Sequence, residues 1–114
     1  MEISVIIPTH NRCDALDKTL ANLAKQNSIG EWEAIVVNNN CSDDTDKVVK
    51  VWQSKFPVAL RLIYETKPGA SAARNCGAAG AFGKYLVYLD NDILVSPDFL
   101  QLHKSALEKF PGSW

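Results

Sequence analysis

The chain has 114 residues, 46% hydrophobic and 22% charged, and 12 basic side chains against 13 acidic ones leave a net charge of -1. That composition suits a single globular domain over 1–114 and offers no basic excess for nucleic acid. Cys13, Cys41 and Cys76 are far apart and form no C-x-x-C, so neither a zinc site nor a disulfide framework is expected, and a cytoplasmic location is the simplest.

The first residues, MEISVIIPTHNR, lack a basic leader and carry only a short apolar run, unlike a signal peptide. Ile3 to Ile7 is β-branched, continuous and stopped by Pro8, which predicts a buried strand. Leu16, Leu20 and Leu23 recur at helical spacing from Asp14 to about Lys25. Trp32 to Val37 predicts a second strand running into three asparagines. Ser42 or Asp43 can cap a helix with a stripe of Val48, Val49, Trp52 and Phe56. Ala59 to Tyr64 alternates like a strand exposed on one face, and Lys67-Pro68-Gly69 predicts a turn. Ala70 to about Phe82 is an Ala- and Gly-rich helix with a thin packing face, where Gly77 and Gly80 permit close approach. Tyr85 to Leu89 predicts the fourth strand. Ser96-Pro97-Asp98 opens a last helix with an apolar side of Phe99, Leu102, Ala106 and Phe110.

The order β-α-β-α-β-α-β-α implies an α/β fold with a parallel, Rossmann-like sheet. Ligands of such sheets bind beyond the carboxyl ends of the strands, near the reversal of strand order. The polar clusters PTHNR, NNNCSDD and DND fall at three of those ends and should converge.

Asp90 and Asp92 are two carboxylates one residue apart with no basic neighbour. In an ideal strand their Cα atoms would be about 6.5 Å apart on one face, too far for adjacent direct ligands on a small ion unless the chain bends. A division of labour is more natural, one carboxylate holding Mn²⁺ or Mg²⁺ and the other acting through water or a ligand hydroxyl. Asp-Asn-Asp is equally the composition of a solvated turn. Three asparagines can likewise form a tight turn, or present an amide to a nucleobase edge. Arg74 can clamp a phosphate or decorate a helix surface. His10 is read as a structural histidine and His103 as a surface one.

Together these stretches resemble the N-terminal half of the family 2, GT-A fold glycosyltransferases. SVIIPTHNR is similar to the family's opening strand and P-x-x-N-R turn. EAIVVNNNCSDDT is similar to its second-strand motif. KPGASAARNCGAAGAFGKYLVYLDND is similar to its N-x-G-x-x-x-A-R-N-x-G segment and metal-binding D-x-D. The resemblance implies a nucleotide-sugar donor across the strand ends, UDP-linked by default, with dTDP and GDP as alternatives. Pro8 and Thr9 would line the base and ribose pocket, Asn11, Arg12 and Asn38 would bind donor, and Asn39 would face the base. Arg74 would lie near base or diphosphate, Asp90 and Asn91 near ribose and metal-bound water, and Asp92 would be the direct metal ligand with Asp90 beside it.

Two departures stand out. The family usually has Asp at 38 and often at 39; both are Asn here. Members also continue into an acceptor-binding half carrying the general base for inverting transfer. Nothing after Asp98 except Glu108 could serve. The expectation is a donor-binding piece that transfers sugar poorly alone, with a saccharide or lipid-linked acceptor belonging to an intact enzyme that is cytoplasmic or peripheral at the membrane. Self-association through the fourth strand's edge or the last helix is also expected. The rival is a non-catalytic nucleotide-binding or interaction module of the same fold. A D-x-D phosphatase would place its acids after the first strand, and a nucleotidyltransferase would carry a Gly-rich loop where Pro8-Thr9-His10 stands.

Overall fold

A computed structural model of the chain describes residues 2–27 and 30–109, the side chains of 107–109 excepted. The elements alternate strictly: β1 (Ile3–Thr9), α1 (Cys13–Leu23), β2 (Trp32–Asn38), α2 (Thr45–Gln53), β3 (Ala59–Tyr64), α3 (Ala70–Gly80), β4 (Tyr85–Tyr88) and α4 (Phe99–Lys109). The strands form one parallel sheet in the order β3-β2-β1-β4. The two strands written as continuous apolar runs, β1 and β2, take the centre, where both faces are covered. The alternating β3 and the short β4 take the edges.

Period-two alternation sorts the central side chains between two layers. Val5, Ile7, Ala34 and Val36 meet Leu16, Leu20 and Leu23 of α1, Val49 of α2 and Leu100 of α4. Ile6, Ile35 and Val37 meet Ala73 of α3. So α1, α2 and α4 cover one face and α3 covers the other. Each fully buried Ile or Leu contributes about 1.5–3 kcal/mol, and truncation is felt throughout so close-packed a core. The thinness of α3 has a cause at Gly77: a Cβ there would lie 2.4 Å from Ile6 Cγ2, so the helix can approach β1 only without one. Gly80, also expected to permit close packing, has ordinary room for a methyl, with its nearest neighbour 3.6 Å away.

Several boundaries differ from expectation. β2 continues to Asn38, while β4 stops at Tyr88, although the Leu89 N–H still donates to Ile6 O at 2.9 Å. α3 ends at Gly80, leaving Phe82 72% exposed. Among the described side chains of α4 the buried one is Leu100; Leu102 is 60% exposed, Ala106 is exposed too, and Phe110 lies outside the described residues. Polar anchors set that orientation: the Leu100 N–H donates to Gln26 Oε1 and the Asn27 N–H to Pro97 O. They override the apolar pattern.

At the amino end of the sheet a charge is buried. Glu33 of β2 is 1% exposed, and its carboxylate accepts from Ser4 Oγ at 2.6 Å, the Phe82 N–H at 2.8 Å and Arg61 at 3.1 Å. Arg61 also donates to Gly80 O at 2.6 Å. Burial alone would raise the Glu33 carboxyl, but these donors outweigh it and hold the group below its ordinary range.

Candidate functional site

β1 is followed by a crossover to β2 on one side, while β4 lies on its other side, so strand order reverses between β1 and β4. The carboxyl ends of these strands flank the crevice where open α/β sheets bind ligands. The segments 9–12 and 90–92 occupy it. Arg12 reaches Asp92 at 3.5 Å, both half-exposed, which ties the PTHNR and DND clusters together.

The third cluster is joined by hydrogen bonds. Asn11 has φ +52° and accepts from the Ser42 N–H at 2.6 Å, while its own N–H meets Cys41 Sγ at 3.3 Å. The Asp43 carboxylate accepts from the Cys13 N–H, from the Thr45 N–H and from the Thr45 hydroxyl. Those bonds, the Thr45 hydroxyl first, hold Asp43 below the usual carboxylate range. Of the two expected caps, Asp43 is therefore the acid that serves the start of α2, although Asp44 directly precedes the helix and makes no side-chain cap bond.

A cleft of about 330 Å³ opens beside this junction on the α3 side, lined by Pro8, Thr9, His10, Asn39, Gly69 and Ala73 among others. Its outer wall is the turn between β3 and α3, where Gly69 adopts φ +112°, open to glycine and strained for other residues. Asn39 fastens that wall. Its amide donates to Glu65 O and Lys67 O, both at 2.8 Å, and its Oδ1 accepts from the Gly69 N–H at 3.2 Å. Both of its N–H groups are thus used on main chain. The amide that sequence reasoning aimed at a base edge builds the pocket, and Asn39 faces the cleft as part of its wall.

Asn38 is spent inside as well: it donates to Asp46 Oδ1 at 2.7 Å and accepts from the Cys41 N–H at 2.8 Å. This accounts for both departures from the family pattern. A carboxylate at 38 would face the Asp46 carboxylate, and one at 39 would face two carbonyl oxygens. Asn40 has φ +59°, the left-handed turn anticipated for the asparagine run. His10 is both bonded, its Nδ1 lying 2.7 Å from Asn39 O, and exposed along the cleft. Because a carbonyl only accepts, Nδ1 carries the proton.

The DND segment leaves the strand. Residues 91 and 92 form a turn, with the Ile93 N–H 3.3 Å from Asp90 O, so ideal-strand spacing does not govern the two carboxylates. Asp90 and Asp92 are exposed and Asn91 is buried. Arg74 sits half-buried on α3 next to Ala73 and is not among the residues lining the cleft. Glu108 falls among the residues whose side chains are not described.

Sequence reasoning missed what holds the turn. Thr19 of α1, fully buried, donates to Asn91 O at 2.7 Å; Asn22 accepts from the Val95 N–H at 2.7 Å; Gln26 donates to Ser96 O at 2.6 Å. Thr19, Asn22 and Gln26 lie at helical spacing beside the leucine stripe. That pattern was visible in the sequence, but nothing in it named the partner.

Metal holding can be judged from the donor set. Among the described residues no three His, Cys, Asp or Glu side chains converge on one point. Two exposed carboxylates at a strand end suit Mg²⁺ or Mn²⁺, which take few protein oxygens and complete their shells with water and phosphate. They do not suit zinc.

A parallel sheet with a cleft and an exposed Arg–Asp pair at its switch point is the layout of α/β proteins that bind ligands at the carboxyl ends of their strands. Comparison carries this further: residues 4–112 match Glycosyl transferase family 2, and the chain belongs to that family. Validoxylamine A glucosyltransferase of Streptomyces hygroscopicus subsp. jinggangensis is 32% identical over 102 residues, covering 87% of this chain and 24% of the relative. S. aureus TarS 1-349, solved in complex with UDP-GlcNAc, superposes with a TM-score of 0.83 at 26% identity, covering 96% of this chain and 32% of that one. Mannosyltransferase PcManGT of Pyrobaculum calidifontis, solved with GDP-Man and Mn²⁺, gives 0.79 at 31% identity, over 87% and 30%. The chain thus spans about a quarter of the length of the first curated relatives it matches.

Proposed function

We propose that the chain is the donor-binding part of a metal-dependent, inverting glycosyltransferase. The observation that carries this reading is the Arg12–Asp92 pair at the crevice between β1 and β4, two residues along the chain from His10, which lines the cleft. The nucleoside lies in the cleft against Pro8, Thr9 and the wall fastened by Asn39. Asn11 and Asn38 hold the loops that form its rim. Asp92 binds the cation directly, and Asp90 and Asn91 act toward ribose and cation-bound water. Arg12 and Arg74 meet diphosphate oxygens. A UDP-sugar is the default donor, and the neighbours bound to UDP-GlcNAc and to GDP-Man support the nucleotide-sugar class.

An acceptor hydroxyl, of a saccharide or a lipid-linked acceptor, gives its proton to a general base of the intact enzyme and displaces the nucleoside diphosphate at the anomeric carbon. When bound, Mn²⁺ or Mg²⁺ offsets the charge of the leaving diphosphate. The chain's own residues orient that group and shield it on one side. No side chain at the strand ends is assigned as the base, so the 114-residue chain should bind donor and turn it over poorly. β4 is an outer strand with Tyr85, Leu86 and Tyr88 half-buried, and pairing with a second copy is part of this reading. Sedimentation as a clean monomer at high concentration would refute that part.

Calorimetry with UDP, dTDP and GDP, each with and without Mn²⁺, tests the whole. One nucleotide should bind in a Mn²⁺-dependent way and lose that dependence in Asp92→Asn. Binding indifferent to both metal and Asp92 would favour a non-catalytic module.

A further inference from the structure

The guanidinium of Arg12 lies 3.5 Å from the carboxylate of Asp92, the acid read above as the direct ligand of the cation. We propose that Arg12 is a built-in stand-in for that cation. It neutralises Asp92 while the ion is absent, and turns to the diphosphate once the ion takes its place. The inference rests on the donor reading above and adds to it a coupling between the two ligands.

The pairing is selective. Among the described residues Asp90, the other carboxylate of the turn, forms no ion pair, and Arg12 holds no second acid. Both main chains are already fastened to one helix. Arg12 O accepts from the Leu16 N–H at 2.8 Å, Thr19 Oγ1 donates to Asn91 O, and Asn22 accepts from the Val95 N–H. Since both side chains are half-exposed, the exchange asks only for side-chain rotation in water.

The sign of the coupling follows from charge. A guanidinium and a divalent ion at one carboxylate repel each other. A diphosphate between them reverses this, because its oxygens accept from the guanidinium fork and bind the ion at the same time. Arg12 therefore opposes the ion when it comes alone and favours ion and diphosphate together. By linkage, each ligand strengthens the other by the same factor. Lys18 supplies a control. It lines a cleft of about 300 Å³ together with Arg12 and Asp92, yet forms no ion pair among the described residues. It carries the same charge without the contact.

The test is a Mn²⁺ titration of the 114-residue chain, followed by electron paramagnetic resonance of the free ion, and calorimetry with UDP and GDP in the presence and absence of Mn²⁺. The natural sequence, Arg12→Met, Arg12→Lys and Lys18→Met are compared, with melting temperatures confirming that these exposed substitutions leave the fold intact. Arg12→Met should bind Mn²⁺ alone about two- to fivefold more tightly, the range set by an exposed ion pair. It should bind nucleotide more weakly when Mn²⁺ is present, so that the factor by which Mn²⁺ strengthens nucleotide binding shrinks. Arg12→Lys should return Mn²⁺ affinity toward the natural value, and Lys18→Met should raise it less than Arg12→Met does. Mn²⁺ binding unchanged or weakened in Arg12→Met, an equal gain in Lys18→Met, or a nucleotide loss that is the same with and without Mn²⁺ would overturn the exchange. A diphosphate that binds with no uptake of Mn²⁺ would also overturn it, while leaving nucleotide binding standing. If Mn²⁺ binds and neither diphosphate does, the donor reading fails and the coupling with it.

Discussion

The molecule uses the same pair of side-chain types twice, at opposite ends of one sheet, to opposite purpose. At the amino end Glu33 and Arg61 lie 3.1 Å apart with 1% and 31% of their side chains exposed. At the carboxyl end Asp92 and Arg12 lie 3.5 Å apart with 49% and 54% exposed. The first pair is closed, since Ser4 and the Phe82 N–H supply further donors and Gly80 O takes another guanidinium proton. The second faces water and can exchange its partner for a ligand. A buried pair is strongly destabilising to break, whereas an exposed one contributes about 0–1 kcal/mol. The amino end therefore bears on stability and the carboxyl end on binding.

Substitutions can break or sharpen that contrast. The largest loss of stability is expected for Glu33→Gln, about 3–5 kcal/mol in chemical denaturation, because Arg61 would be left without its counter-charge. The same carboxyl gives a pH signature. Its folded-state value lies below the ordinary one, so its stabilisation is present above the ordinary carboxylate range and is lost as pH falls below it. Melting curves taken from about pH 5 down to about pH 2 should therefore fall less steeply in Glu33→Gln than in the natural sequence.

Next comes Asn39→Asp, which would turn a carboxylate toward Glu65 O and Lys67 O. A loss of about 1–3 kcal/mol is expected, with weakened nucleotide binding as the wall detaches. An unchanged melting temperature would show that the wall stands without this amide. Thr19→Val removes one buried donor at constant shape, for about 1–2 kcal/mol. It should also weaken Mn²⁺-dependent nucleotide binding, with Thr19→Ser restoring it; a stability change with unaltered binding would make Thr19 merely structural. The smallest change in stability, within about 0.5 kcal/mol, belongs to Asp92→Asn, whose whole effect should fall on metal-dependent binding. If Asp92→Asn instead unfolds the chain, the contrast between the two ends is wrong.

The sheet was legible because β1 and β2 are dominated by apolar, largely β-branched residues and their helices carry clean leucine and valine stripes. Element ends were less so. The turn after β4 and the start of α4 are held by side-chain bonds from Thr19, Asn22 and Gln26, which periodicity does not encode. At the strand ends the polar clusters could be named in advance, and the structure brings PTHNR, NNNCSDD and DND together. What an individual amide does there could not be read. Asn38 and Asn39 look like ligand-facing groups in sequence, yet their partners, Asp46, Glu65 and Lys67, lie 8 to 28 residues away. Glu33 was equally opaque: inside an apolar strand it reads as an interruption until Ser4, Arg61 and Phe82 are seen around it.

The bond set of Asn39 has a bearing on how such a pocket could diversify. Its three bonds to the facing turn all end on main-chain atoms, so the side chains of Glu65, Thr66 and Lys67 are not fixed by that attachment. A lineage could change those residues while one carboxamide kept the enclosure in shape. Inherited scaffold and mutable outer surface would then part company at a single position.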